Sequence, residues 1–488
     1  MSNQIRALEP VGIWRNFADL NAVPRASKKE ERVIKFIKDF GISLGLETVE
    51  DTVGNVIIRK PASPGMEDRQ MVVMQSHLDM VHQKNSATDF DFDTQGIQMY
   101  IDGDWVKARG TTLGADNGLG VATIMAVLES DTLEHPAIEA LFTVDEETGM
   151  TGAKGLKGGL LNGRILLNLD TEEDDEIGVG CAGGIDVTAT RHYLQESLTE
   201  NYTGFKITVK GLQGGHSGMD IHKGLGNANK LLNRFIYKGL RDFGLRLQLL
   251  DGGSLRNAIP REAYATIAIP NLNISSFKEA FQSLRKSIQN EYRSLEAELD
   301  ISLAETHVPE LVMEQSALEQ LTQVLYAAPN GVYRMSPDIP ELVETSNNIA
   351  RVLVKDGQLR IGCLTRSSVE SSKIDLANAL RAVFELAGCA VELSGDYPGW
   401  TPNMDSAILK VLKAKYIHLN KGSEPNVAAC HAGLECGILG TNYPDMDMIS
   451  FGPNIRGAHS PDERVQISSV KKYWTFVQEI LKDIPVIS

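Results

Sequence analysis

The sequence predicts an α/β protein, a mostly parallel sheet flanked by helices and interrupted by an inserted α+β domain. Three observations carry that expectation. Short apolar runs alternate with helical stretches through the first part of the chain, as strands feeding crossover helices do. After the glycine-rich stretch Gly180-Cys-Ala-Gly-Gly184 the rhythm changes to longer helices and alternating strands. Towards residue 488 the first texture returns.

In chain order, Val33, Ile34, Ile37 and Phe40 recur at helical spacing over 29–44. Residues 71–76, Met-Val-Val-Met-Gln-Ser, read as a buried strand, as do 140–144 and 165–169. Between the first two, 119–128 offers an alanine-rich helix behind the loop Gly114-Ala-Asp-Asn-Gly118. Past the glycines, 206–210 and 263–269 alternate as amphipathic strands, and helices are expected over 276–295, 317–327 and 370–387. Ser276-Phe-Lys-Glu279 reads as a capping box opening the first of these. A strand at 446–451 and the stripe Val470, Trp474, Val477 and Leu481 of a closing helix restore the α/β pattern. The expected division is a discontinuous domain of 1–186 and 399–488 with an insertion of 187–398. Gly183-Gly184, Gly395 and Gly399 stand at the crossings as candidate hinges.

A length of 488 residues exceeds what one core usually supports. The net charge of −16 argues against a nucleic-acid or anionic-membrane partner, because phosphates would be repelled. No apolar core region follows Met1, so no signal peptide is expected, and no apolar run reaches the ~18 residues of a membrane span. The five cysteines never form C-x-x-C. That suits a reducing compartment, hence a cytoplasmic location, and argues against a zinc–thiolate site.

Five potential metal ligands stand just past expected strands or in loops: His77, Asp116, Glu147, Asp170 and His459. Sites in open α/β sheets form beyond the carboxyl ends of strands, so residues far apart in sequence can converge there. In His77-Leu-Asp79 the alternation of extended chain lets the aspartate approach the imidazole and fix its tautomer. The glycines around Asp116 permit a tight loop in which one carboxylate can serve two ions. Glu146 and Glu147 are adjacent, so one can bind metal while the other faces substrate.

His77-Leu-Asp79, Gly114-Ala-Asp116, Glu146-Glu147-Thr-Gly149, Asp170 and Gly457-Ala-His459 resemble the M20 metallopeptidases. Val106–Gly118, Gly180–Asp186, Gly253–Pro260 and His431–Gly437 narrow the likeness to the bacterial aminoacyl-histidine (Xaa-His) dipeptidases within that family. The resemblance spans nearly the whole chain. It implies a di-metal peptidase domain with an inserted lid domain, and two divalent metal ions per chain, zinc first, with manganese or cobalt as alternatives. It implies His77, Asp116 and Asp170 as ligands of one ion, and Asp116, Glu147 and His459 as those of the other. Asp79 would stand behind His77, and Glu146 would be the general base. In Gly214-Gly-His-Ser-Gly218, His216 would stabilise the oxyanion. Asn257, Arg366 and Gly433 would bind substrate, the guanidinium suiting a terminal carboxylate, and Glu435 would face the substrate amine. Small peptides are the implied substrates and a homodimer is one implied assembly. A related deacylase or carboxypeptidase is the alternative on the same scaffold, and a non-catalytic peptide binder the alternative from another class. Closure of the insertion over the metals is a further expectation.

Overall fold

The buried apolar runs form the centre of an eight-stranded mixed sheet in a computed structural model that describes residues 2–198 and 201–487. Val72–His77 pairs in parallel with Ile138–Thr143 on one side and Ile165–Asn168 on the other, and the latter pairs in parallel with Asp447–Ser450. The parallel run is confined to these central strands. Val56–Lys60, Glu47–Glu50 and Glu176–Cys181 add on in antiparallel fashion, and Asn426–Cys430 forms an edge. Every residue of Val72–His77 and of Ile138–Thr143 is buried, as expected of strands covered on both faces.

The helix Ala115–Glu129 is buried almost throughout. Its small residues let it lie close to the strands, and at Gly120 an added Cβ would stand 2.6 Å from the Leu169 carbonyl. A helix apolar all round belongs in a core. Glu31–Ser43, Ala407–Leu419 and Ile467–Lys482 also belong to this unit. It runs to Gly180, takes in Trp400–Ala429 and resumes at Leu434.

The second unit comprises Cys181–Gly399 and Cys430–Gly433. Its nine-stranded sheet is antiparallel at every register from Gly183–His192 to Ala390–Tyr397. Helices Ala228–Phe243, Ile274–Glu291, Gln315–Ala327 and Glu370–Leu386 cover it.

Three expectations are corrected. The first crossing falls at Gly180/Cys181, not at 186/187, because Gly183–His192 is one unbroken strand of the second sheet, hydrogen-bonded on both sides. The same pairing removes the hinge role of Gly183-Gly184. A Cβ on Gly184 would meet the Tyr397 hydroxyl at 2.5 Å, so close packing explains that glycine. The capping box also fails: the helix starts at Ile274, after a 3₁₀ turn over Asn271–Asn273 that already commits the chain to helical geometry, and Ser276 lies inside it.

Candidate metal centre

The parallel strands deliver their next residues to one place. His77 ends Val72–His77, Glu147 follows Ile138–Thr143 through a left-handed Asp145, and Asp170 lies two residues past Ile165–Asn168. Asp116 enters from the start of the helix Ala115–Glu129, with non-helical φ −82° and ψ 111°. His459 comes from the loop after Ile455–Arg456 with φ +64°.

The five side chains form two sets that share Asp116. Its Oδ1 lies 3.1 Å from His77 Nε2, which is 3.6 Å from Asp170 Oδ1. Its Oδ2 lies 3.1 Å from His459 Nε2, which is 3.0 Å from Glu147 Oε2. Within each set, His77–Asp116–Asp170 and Asp116–Glu147–His459, the ligand atoms lie within 4.8 Å of one another, close enough to hold a metal ion. A third such group joins His77 with Glu146 and Glu147.

Asp79 is fully buried beside this cluster. Its Oδ1 is 3.3 Å from His77 Nδ1, and it accepts the backbone N–H groups of Glu146 at 3.0 Å and Glu147 at 3.2 Å. Burial opposes its ionisation, but His77, Ser27 and the Glu146 N–H outweigh burial and bring it to about 2. Asp79 thus ties the histidine to the paired glutamates. Glu146 differs from its neighbours: burial first, then the charges of Asp170, Glu435 and Glu147, push its carboxyl well above the ordinary range.

The donor set fits divalent cations. Asp79, Asp116, Glu146, Glu147 and Asp170 crowd together around two imidazoles, His77 and His459, and Glu147 Oε1 is buried without a hydrogen-bond partner. Uncompensated buried charge is costly unless paired or bound to metal.

Several buried polar residues support the cluster from below. Glu435 is buried, accepting from Gln75 and Thr143 at 2.6 Å each. Gln75 in turn accepts from Asn168 at 2.6 Å, and Asn168 from Ser450 at 2.5 Å, so a polar chain crosses the sheet beneath His77 and Asp170. Glu463 is likewise buried, its carboxyl pushed up to about 7 by burial against the pull of backbone donors. Gln75, Asn168 and Ser450 are polar residues inside strands, and standing as exceptions to an apolar run is the sequence mark they bear.

In the second unit the structure gathers His216, Arg366 and His431. His216 Nδ1 accepts the N–H groups of Gly218 at 3.2 Å and Met219 at 3.0 Å, which places the proton of the neutral ring on Nε2. Burial and then the Arg366 charge lower its pKa and keep it neutral. Arg366 is 4% exposed and donates to the Tyr397 hydroxyl at 2.8 Å, while its Nε is buried without a partner. His431 pairs with Ser346 at 2.8 Å, and burial followed by Arg366 pushes it down to about 3. Asn257 is exposed in the loop whose Asn257 carbonyl accepts the Ser217 N–H. Gly433 closes the Cys430–Gly433 segment.

Fold and cluster together define a class: an α/β protein whose acid and imidazole cluster is suited to divalent metal ions. The model of peptidase family M20/M25/M40 matches residues 73–483, and the chain belongs to that family. It is 45% identical to the cytosol non-specific dipeptidase of Escherichia coli (strain K12) over 99% of both chains. The crystal structure of aminoacylhistidine dipeptidase from Vibrio alginolyticus matches it with a TM-score of 0.94 at 43% identity, over 100% of both chains. The aminopeptidase PepT from Bacillus cereus shares the fold, with a TM-score of 0.57 at 16% identity over 98% of this chain and 99% of that one.

Proposed function

We propose that the protein is a cytoplasmic dipeptidase that hydrolyses Xaa-His and related dipeptides with two divalent ions, zinc being the first candidate. The observation that carries this is the sharing of Asp116 between two ligand sets, one oxygen to each. The relatives named above support the substrate class and the location. His77, Asp116 and Asp170 would hold one ion, and Asp116, Glu147 and His459 the other. Such ions, when bound, lower the pKa of water and polarise a carbonyl.

The chain's own residues do the rest. Glu146, with its raised pKa, takes a proton from the attacking water and returns it to the leaving amine, a role that contributes ~10²–10⁴-fold. Asp79 holds the His77 ring and, through two backbone N–H groups, the glutamate pair. His216 offers an Nε2–H to the oxyanion as it forms. Arg366 pairs with the substrate's terminal carboxylate, and Asn257 and Gly433 complete its binding.

The test is a panel of dipeptides assayed with and without chelator. Xaa-His dipeptides should be cleaved, chelation should abolish activity, and zinc should restore it. Failure on every Xaa-His dipeptide would remove the substrate assignment. Equal turnover of Ala-His and its C-terminal amide would remove the carboxylate pairing.

A further inference from the structure

The loop carrying Asp116 is built to bind an anion. Gly114 is left-handed (φ 69°, ψ 31°) and the next residue opens the helix Ala115–Glu129, so successive N–H groups turn towards one point. Such nests at helix N-termini commonly receive phosphates. Here the anion is internal. Glu463, 2% exposed, accepts four consecutive N–H groups, with Oε2 taking Leu113 at 2.7 Å and Gly114 at 2.9 Å. Its Oε1 takes Ala115 at 2.7 Å and Asp116 at 3.2 Å. With two donors on each oxygen, the four N–H groups fill the acceptor positions of the carboxylate.

Arg25, also 2% exposed, grips the other side. It donates to the Gly114 carbonyl at 2.5 Å and to the carbonyls of Leu78 and Asp79 at 3.1 Å each. Asn21 joins them, accepting from Arg25 at 3.1 Å and donating to the Leu113 carbonyl at 3.0 Å. Three segments are thereby tied together: His77–Asp79, the Asp116 loop, and the loop of His459, which lies four residues before Glu463.

We infer that Glu463 is a positioning residue that fills the nest in place of Asp116, leaving the Asp116 carboxylate to face both imidazoles, with Arg25 as its counterpart. The competition is local. A carboxylate in the first turn of a helix is drawn to the exposed N–H groups there. Were they vacant, Asp116 could turn back onto them, and both ligand sets would lose their common member at once. Because Glu463 holds them, Asp116 keeps one oxygen 3.1 Å from each histidine.

This inference rests on the two-ion reading of the site, and one titration separates them. The metal-depleted full chain is titrated with cobalt(II), followed by visible absorption, alongside Glu463→Gln, Glu463→Asp and Arg25→Lys. The natural chain should bind two ions; binding of none would end the two-ion reading itself. Glu463→Gln puts an NH₂ against two of the N–H donors, so cobalt affinity should fall ~10–100-fold, as for other groups that orient ligands. Activity lost at low cobalt should return when cobalt is raised, with KM unchanged. Glu463→Asp keeps the charge on a shorter arm and should restore part of the affinity. Arg25→Lys should weaken binding in the same direction, and it carries the test where Glu463→Gln does not fold. Variants that melt lower yet bind both ions as tightly as the natural chain would overturn the inference, leaving Glu463 an ordinary packing residue.

Discussion

At the scale of single residues, the adjacent glutamates show how environment divides labour between identical side chains. Glu147 Oε2 contacts His459 and its Oε1 is buried and unpaired. The carboxyl of Glu146 is pushed up by burial and by neighbouring acids. Replacing Glu146 with Ala should lower kcat ~10²–10⁴-fold while metal content holds. Replacing Glu147 should deplete metal instead, since it removes a member of one set. Metal analysis beside steady-state kinetics checks both, and loss of metal in Glu146→Ala would exchange the two roles. The residues of the two sets were legible in sequence because glycine loops, strand ends and a family pattern marked them. Glu463 and Arg25 were not, because they act on backbone groups brought together by the fold across 348 residues, from Ala115 to Glu463, and no local pattern encodes such a contact.

At the scale of elements, the site depends on how closely the helix Ala115–Glu129 lies on the strands. Gly120 sits where an added Cβ would meet Asn117, Ser76 and, at 2.6 Å, the Leu169 carbonyl. Leu169 precedes Asp170, and Asn117 donates to Asp170 at 2.5 Å. Side chains can yield, but a carbonyl fixed by its strand yields poorly. Gly120→Ala should therefore cost about 1–3 kcal/mol through overpacking, despite alanine's better helix propensity. Denaturant unfolding would show it, and a stabilised variant would mean that the helix can slide. Strands and helices of this unit were readable from apolar runs, since burial on both faces writes continuous hydrophobicity into sequence. Element starts were less readable. The helix Ile274–Glu291 begins two residues before its apparent capping box because a preceding 3₁₀ turn sets its entry, and a turn of that kind leaves little compositional trace.

At the scale of the whole chain, the clustered acids of the candidate metal centre are concentrated in one of two compact units. Asp79, Asp116, Glu146, Glu147 and Asp170 all belong to the unit that ends at Gly180 and resumes at Trp400. His216, Arg366 and His431 belong to the unit of Cys181–Gly399 and Cys430–Gly433, whose polar cluster has one fixed cation and two imidazoles kept neutral by burial and by Arg366. Ions that bind the native site and not the unfolded chain stabilise by RT ln(1 + [L]/Kd), about 2.7 kcal/mol at 100 Kd for one site. Their removal also leaves the crowded carboxylates without compensation. The cost should fall on the first unit alone, because no metal-ligating group among the described residues was found in the second. Calorimetry of the full chain with and without chelator should show one part of the unfolding endotherm moving down in temperature while the remainder stays. Glu147→Ala should start from the lower position and respond little to chelator. A uniform shift of the entire endotherm would show that the two units unfold as one cooperative body, and no shift would show that the acid cluster holds no ion that matters to folding.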